Sequence, residues 1–209
     1  MFRASVSLPA LASRYRKCLP RIVAPATRRA EYWNVLSRRC FHRRLHEDSA
    51  FDMREQLLSY VPWFVSAVSR LSGIRRVALL GSITTNKPNP KDIDFLVVVD
   101  DDVDLEPLAR LGRKIKGRAQ QMNRGADIFL ADTQGKYIGR TCSWRECWSG
   151  KRRSCDALNC GKRPYLHDDL ETVSLSDETM RTALELWPSL ERRARLPDDL
   201  ERTLKQLEV

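Results

Sequence analysis

The stretch VALLGSITTNKPNPKDIDFLVVVD, residues 77–100, constrains the fold more than any other part of the chain. An apolar strand stops at Gly81-Ser82, crosses a polar loop with two prolines, and gives way to a second apolar strand entered through Asp92-Ile93-Asp94. Carboxylates are costly to place at the edge of a core. The residues that follow, Phe95 to Val99, read as a central strand covered on both faces. Alternate residues of a strand share a face, so Asp92 and Asp94 aim side by side while Ile93 turns into the core. Two parallel carboxylates repel unless a positive charge sits between them. A hard divalent cation with oxygen ligands, Mg²⁺ (or Mn²⁺), suits that position. With a third carboxylate nearby, such a pair holds two ions and clamps an in-line phosphoryl displacement.

Gly81-Ser82 supplies the complementary half. Gly81 lets backbone approach a ligand closely. The N–H groups after it and the Ser82 hydroxyl are suited to phosphate oxygens, although Ser82 as a plain turn residue is the rival reading. Anion-binding donors beside cation-binding carboxylates are what a nucleoside triphosphate with Mg²⁺ requires. The third carboxylate is expected on a neighbouring strand. Asp127, a lone acid entering the apolar run GADIFLA, is the first choice; a solvated strand start is the alternative for it, and Asp132 at the far end of the run is second. Lys87 and Lys91, in the loop, are placed to contact phosphates or to remain solvated loop charges.

The surrounding pattern predicts an α/β (α+β) fold with a small mixed sheet flanked by helices. Apolar residues from Arg54 to Leu71 recur at helical spacing, with Pro62 as a kink or a true start. Arg76 to Leu80, Phe95 to Val99 and Ala126 to Ala131 read as strands, and Leu105 to Met122 as a helix between the last two. The order is helix, strand, strand, helix, strand. The tail, SDETMRTALELW and PDDLERTLKQLEV, reads as two helices, the first capped by Ser176, the second opened by Pro197 and two acids.

These residues carry a resemblance. LLGS, nine residues, DIDFLV and then ADIF some thirty residues on resemble the nucleotidyltransferase superfamily that includes DNA polymerase beta, and most closely its minimal nucleotidyltransferase branch. The matched pattern spans about residues 53 to 132 and falls on Gly81, Ser82, Asp92, Asp94 and Asp127. The resemblance implies that Asp92 and Asp94 bind the metal ions, that Gly81-Ser82 holds the triphosphate, and that Asp127 supports the second metal and activates the incoming hydroxyl. The implied reaction moves a nucleoside monophosphate from an NTP, ATP being the expected one, to a hydroxyl of a protein, an RNA or a small molecule. A helix usually follows Gly-Ser in that family; here Pro88 and Pro90 leave room for about one turn. The small size also resembles nucleotidyltransferase members of toxin–antitoxin pairs, which implies a cognate partner protein. The rival is a non-catalytic, antitoxin-like module that binds nucleotide, RNA or a partner on the same fold; in a weaker third reading the cysteine-rich segment is the functional part and the α/β domain its scaffold.

Charge and cysteine usage frame the rest. Of 209 residues with a net charge of +10, residues 1–52 hold 11 Lys/Arg against 4 Asp/Glu, leaving 26 against 23 beyond them. The high charge is therefore mostly a property of that N-terminal stretch and weak evidence for nucleic-acid binding. Its Arg, Ser, Ala and Pro resemble a mitochondrial transit segment, or residues translated from a start codon upstream of Met53; it is set apart from the fold. The first gives a mitochondrial location, the second a cytoplasmic one, which is the expectation. No apolar run reaches membrane-spanning length.

Cys142, Cys147, Cys155 and Cys160 form two pairs of equal internal spacing. Four thiolates close a tetrahedral structural Zn²⁺ site, with His167 as a substitute for one of them; four unligated thiols is the alternative. Arg140, Arg145, Lys151, Arg152, Arg153, Lys162 and Arg163, interleaved with Trp144, Trp148 and Tyr165, suit RNA or a solvated face equally. The expected organisation is a basic extension at 1–52, a nucleotidyltransferase domain at 53–136, a cysteine-rich zinc module at 137–170 and helices at 171–209.

Overall fold

The computed structural model describes residues 53–145, 163–171, 173–190 and 196–207. Residues 53–58 are helical and lead across Ser59 into helix α1, Tyr60–Val68. Leu57, Leu58, Val61, Phe64, Val65 and Val68 are all buried, as their spacing predicts. Pro62 lies in the first turn of α1, where its missing N–H costs least. The Ser59 N–H donates to the Glu55 carbonyl at 2.9 Å, so the preceding helical turn runs up to the start of α1.

Strand β1, Ile74–Leu80, ends in a single 3₁₀ turn at Gly81–Thr84, the one turn that the two prolines leave room for. Strand β2 spans Asp92–Val99, helix α2 Glu106–Gln120 and strand β3 Gly125–Ala131. The order read from the sequence thus holds. Strands β1 and β2 are antiparallel; β2 and β3 are parallel, with α2 as the crossover that a parallel pair needs. The fold is mixed α and β around one open sheet.

The sheet is larger than the sequence pattern predicts. Within residues 137–170, the expected cysteine-rich module, Tyr137–Thr141 forms β4, antiparallel to β3, and Leu166–His167 forms β5 beside it. The tail also departs from expectation. Ser176 caps a short helix α3, Asp177–Arg181, by accepting from the Thr179 N–H. The helix stops there, and Leu184–Trp187 forms strand β6, antiparallel to β1. Leu184 and Leu186 are buried and Glu185 is not, a period of two that a helix cannot satisfy. The last helix, α4, is present at Asp198–Leu204 with Leu200 and Leu204 inward. The six strands run β5-β4-β3-β2-β1-β6, so one sheet crosses the boundaries expected near residues 136 and 170.

Its two faces differ. Ile93, Phe95, Val97 and Val99 of β2 join Val77, Leu79, Ile128 and Leu130 in the main core, packed against α1, α2 and α4. The alternate residues form a smaller cluster on the second face, with Leu80, Leu96 and Ala131 covered by Met180 and Ala183. Asp92 and Asp94 share that second face, at the end where β1 stops and β2 and β3 begin. None of the helices among the described residues is long and apolar enough to cross a membrane.

Candidate functional site

The parallel pairing of β2 with β3 builds the site. Asp92 stands opposite Gly125, and Asp94 opposite Asp127. Across β1, Asp94 stands opposite Leu80, one residue before the Gly81-Ser82 turn. Three carboxylates and the turn thus gather at one end of one face. The Asp127 N–H donates to Asp94 Oδ1 at 3.2 Å, tying the two residues. Burial, then the charges of Asp127 and Asp92, push the Asp94 carboxyl up to about 7. A carboxyl so raised sits where positive charge is wanted.

Two glycines permit this closeness. Gly81 has φ +75°, which other residues rarely adopt, and a Cβ there would stand 3.5 Å from Asp94 Oδ2. At Gly125 a Cβ would collide with the Asp92 carboxylate. Gly125 is a site residue that the sequence pattern did not single out; its signal is the position opposite the first Asp of Asp-x-Asp, visible only once the register is known.

The loop after the turn is held from behind. Arg54, 4 % exposed, donates to the Ile83 carbonyl at 3.0 Å, to the Lys87 carbonyl at 3.0 Å, and to Asp199 of α4 at 2.5 Å and 3.3 Å. Burial works against the Asp199 charge, but the bond and charge of Arg54 hold its carboxyl below the usual range. Further along, Arg124 donates to Asn89 at 2.6 Å, and the Gly125 N–H to the Lys91 carbonyl at 3.0 Å. The Ser82 hydroxyl, by contrast, makes no hydrogen bond among the described residues, and Lys87 is exposed with only its backbone engaged.

Asp127 carries two cations that sequence reasoning did not assign to it. Lys116 Nζ of α2 lies 3.2 Å from Asp127 Oδ1, and Arg140 of β4 lies 3.5 Å from Oδ2. Arg140 also pairs at 2.5 Å with Asp169, which accepts from the Tyr137 hydroxyl at 3.1 Å. Burial opposes the Arg140 charge, yet Asp169 and Asp127 together raise its pKa further. Burial and then Asp169 likewise raise that of Tyr137. Nothing in the spacing of Lys116 or Asp169 marks them in advance; the sheet edge brings them in. Among the described residues no three His, Cys, Asp or Glu side chains are gathered closely enough to hold a metal ion.

Asp132, the alternative third acid, is not part of the site. Its carboxylate accepts from the N–H groups of Gln134 and Lys136 and shapes the β3–β4 turn. A cavity of about 750 Å³, lined by Arg76, Lys136, Met180 and Glu185 among others, opens at the opposite end of the second face and includes none of the site residues.

Of the expected zinc ligands, Cys142 is buried directly after β4, its N–H donating to the Tyr165 carbonyl at 2.7 Å. Cys147, Cys155 and Cys160 lie outside the described residues, so no zinc module is shown. The described members of the basic and aromatic series have several different partners. Arg140 faces Asp127, Arg163 donates to the Asp100 carbonyl, and Tyr165 lies under the Arg113 guanidinium.

Comparison with protein families decides the chain's kinship. The chain belongs to the family of unknown function DUF6932, whose model matches residues 23–162. Searches of curated proteins and of solved structures return no match. The matched span holds Gly81, Ser82, Asp92, Asp94, Asp127, Lys116 and Arg140, and all four clustered cysteines. It stops before Asp169, β6 and α4, so in this DUF6932 chain the partner of Arg140 and the helix that anchors Arg54 lie beyond it.

Proposed function

We propose that this chain is a metal-dependent nucleotidyltransferase that moves a nucleoside monophosphate from an NTP to a hydroxyl acceptor. The observation that carries the reading is the register: Asp94 opposite Asp127 on parallel strands, with the Gly81-Ser82 turn at the neighbouring strand end. The helix–strand–strand–helix–strand order supports it, whereas the single 3₁₀ turn at Gly81–Thr84 is shorter than the helix that usually follows Gly-Ser in the family it resembles.

The residues suit the ions that this chemistry needs. Three carboxylates share one face, and burial, then the charges of Asp127 and Asp92, raise Asp94 to about 7. Asp92, Asp94 and Asp127 would hold Mg²⁺ or Mn²⁺. Such ions, when bound, neutralise the triphosphate and favour ionisation of an attacking hydroxyl. The Ser82 hydroxyl and the adjoining backbone would bind phosphate oxygens. Arg54 keeps that backbone in place, since two carbonyls of the loop end on its guanidinium. Asp127 would accept the proton of the acceptor hydroxyl. The resemblance favours ATP as donor; a protein, an RNA and a small molecule all remain chemically suitable acceptors. The four-cysteine zinc site, with a structural role, stays part of the proposal.

One observation favours the alternative of a binding module without turnover: Asp127 is already neutralised by Lys116 and Arg140. The deciding experiment incubates the full chain with α-³²P-labelled NTPs, Mg²⁺ or Mn²⁺ and cell extract, beside Asp92→Ala/Asp94→Ala. Label transferred to a protein, RNA or small-molecule band by the parent and not by the double variant supports the enzyme. Folded parent that transfers no label from any nucleotide supports the binding role.

A further inference from the structure

We propose that Lys116 is the displaceable counter-charge of Asp127: its ammonium holds the third carboxylate until a divalent cation arrives, and is then released to an anionic oxygen of the phosphate chain. This rests on the nucleotidyltransferase reading and adds to it a positioning residue outside the Gly-Ser and Asp-x-Asp pattern. Three observations carry it. First, positive charge is distributed unevenly. Both cations at the site engage Asp127, while among the described residues no Lys or Arg lies within ion-pair distance of Asp92 or Asp94. A metal ion entering between Asp92 and Asp94 therefore meets two carboxyl groups without a Lys or Arg partner among the described residues and one that is already occupied.

Second, the two cations are not equally held. Arg140 is tied by Asp169, whose side chain is 1 % exposed, at 2.5 Å, and its contact with Asp127 is the longer of its two, at 3.5 Å. It stays where it is when Asp127 turns away. Lys116 has Asp127 as its one ion-pair partner among the described residues, and the two side chains are each 34 % exposed. An ammonium on a four-carbon stem is free to swing, whereas a planar guanidinium fixed by a buried carboxylate is not.

Third, the position suits the second task. Lys116 projects from α2 to the second face, where Asp127 stands level with Asp94. An ammonium released there would lie among the carboxylates that hold the ions, within reach of an anion bridging them. Lys116 is thus a competitor of the metal in the empty site and a partner of the phosphates in the filled one.

Mn²⁺ binding to the full-length, nucleotide-free chain, followed by electron paramagnetic resonance, tests this, with Mg²⁺-dependent binding of inorganic tripolyphosphate as the second readout. Lys116→Met is expected to bind Mn²⁺ about two- to tenfold more tightly than the parent, because one charge that opposed the ion is gone. The same variant is expected to bind tripolyphosphate more weakly, while Lys116→Arg stays near the parent in both. A purely structural ion pair would not tighten metal binding when broken. If Lys116→Met leaves Mn²⁺ affinity unchanged or lowers it, the inference is overturned. If that happens while Asp92→Asn/Asp94→Asn still abolishes Mn²⁺ binding, the nucleotidyltransferase reading survives without it. Absence of Mn²⁺ binding in both parent and Lys116→Met overturns the two together.

Discussion

Asp94 and Phe95 are neighbours in the chain and opposites in environment. Phe95 points into the main core, fully buried, with its ring centroid 4.2 Å from that of Phe64. Asp94 points to the second face, half-buried among two more carboxylates, with its acidity suppressed to about 7. One face of the sheet is arranged for cohesion; the site end of the other carries charge that the isolated chain does not fully compensate. Cohesion and the proposed site therefore fall to alternate residues of the same strands, and substitutions at adjacent positions should have opposite signs.

The largest effect is expected on the cohesive face. Phe95→Ala should lower stability by about 4 kcal/mol, the usual scale for emptying an aromatic site in a packed core, read by urea unfolding. A loss below about 1 kcal/mol would mean that this face is loosely packed and the contrast false. Arg54→Met should come next, at about 3 kcal/mol, because it strands the Asp199 carboxylate and two loop carbonyls that Arg54 satisfies. It should also weaken nucleotide binding, since the loop behind Gly81-Ser82 loses its anchor.

Asp94→Asn should act in the other direction. Because the folded chain favours the acid form of Asp94, the folded state binds more protons than the unfolded state between about pH 4 and pH 7. Stability of the metal-free protein therefore falls as pH rises through that window, by up to ~1.4 kcal/mol per pH unit from this one group. Asn removes the dependence and should raise Tm at pH 8 in EDTA while abolishing transfer. Equal Tm–pH profiles for parent and variant would remove the electrostatic half of the comparison. The smallest effect belongs to neither face. Arg75→Ala breaks an exposed pair with Asp100 and should leave Tm within error.

The sequence was most informative where one period dominated. The buried helix before β1, both strands of the opening stretch, the crossover helix and β3 all follow from unmixed apolar patterns. Misreading began where patterns were short or ambiguous. TALELW has apolar residues compatible with both a helix and a strand; pairing with β1 settles it as β6, a contact more than a hundred residues away in sequence. YIGRT is short and carries Gly139 and Arg140, so it lacks the apolar run that marks the inner strands, and its pairing with β3 makes it β4. That Asp92, Asp94, Gly81, Ser82 and Asp127 come together was readable because all five lie at strand ends. Lys116, Asp169 and Gly125 were not, because their importance depends on register and on which elements meet at a sheet edge.

In the proposed function, the carboxylate end of the second face receives a divalent cation together with a nucleoside triphosphate. The most direct test is a crystal of the full chain grown with Mn²⁺ and a non-hydrolysable NTP, with data recorded at the manganese edge. Anomalous density is expected between Asp92 and Asp94, and phosphate density at Gly81-Ser82. Nucleotide bound away from this end, or carboxylates that hold no manganese with the nucleotide present, would contradict it.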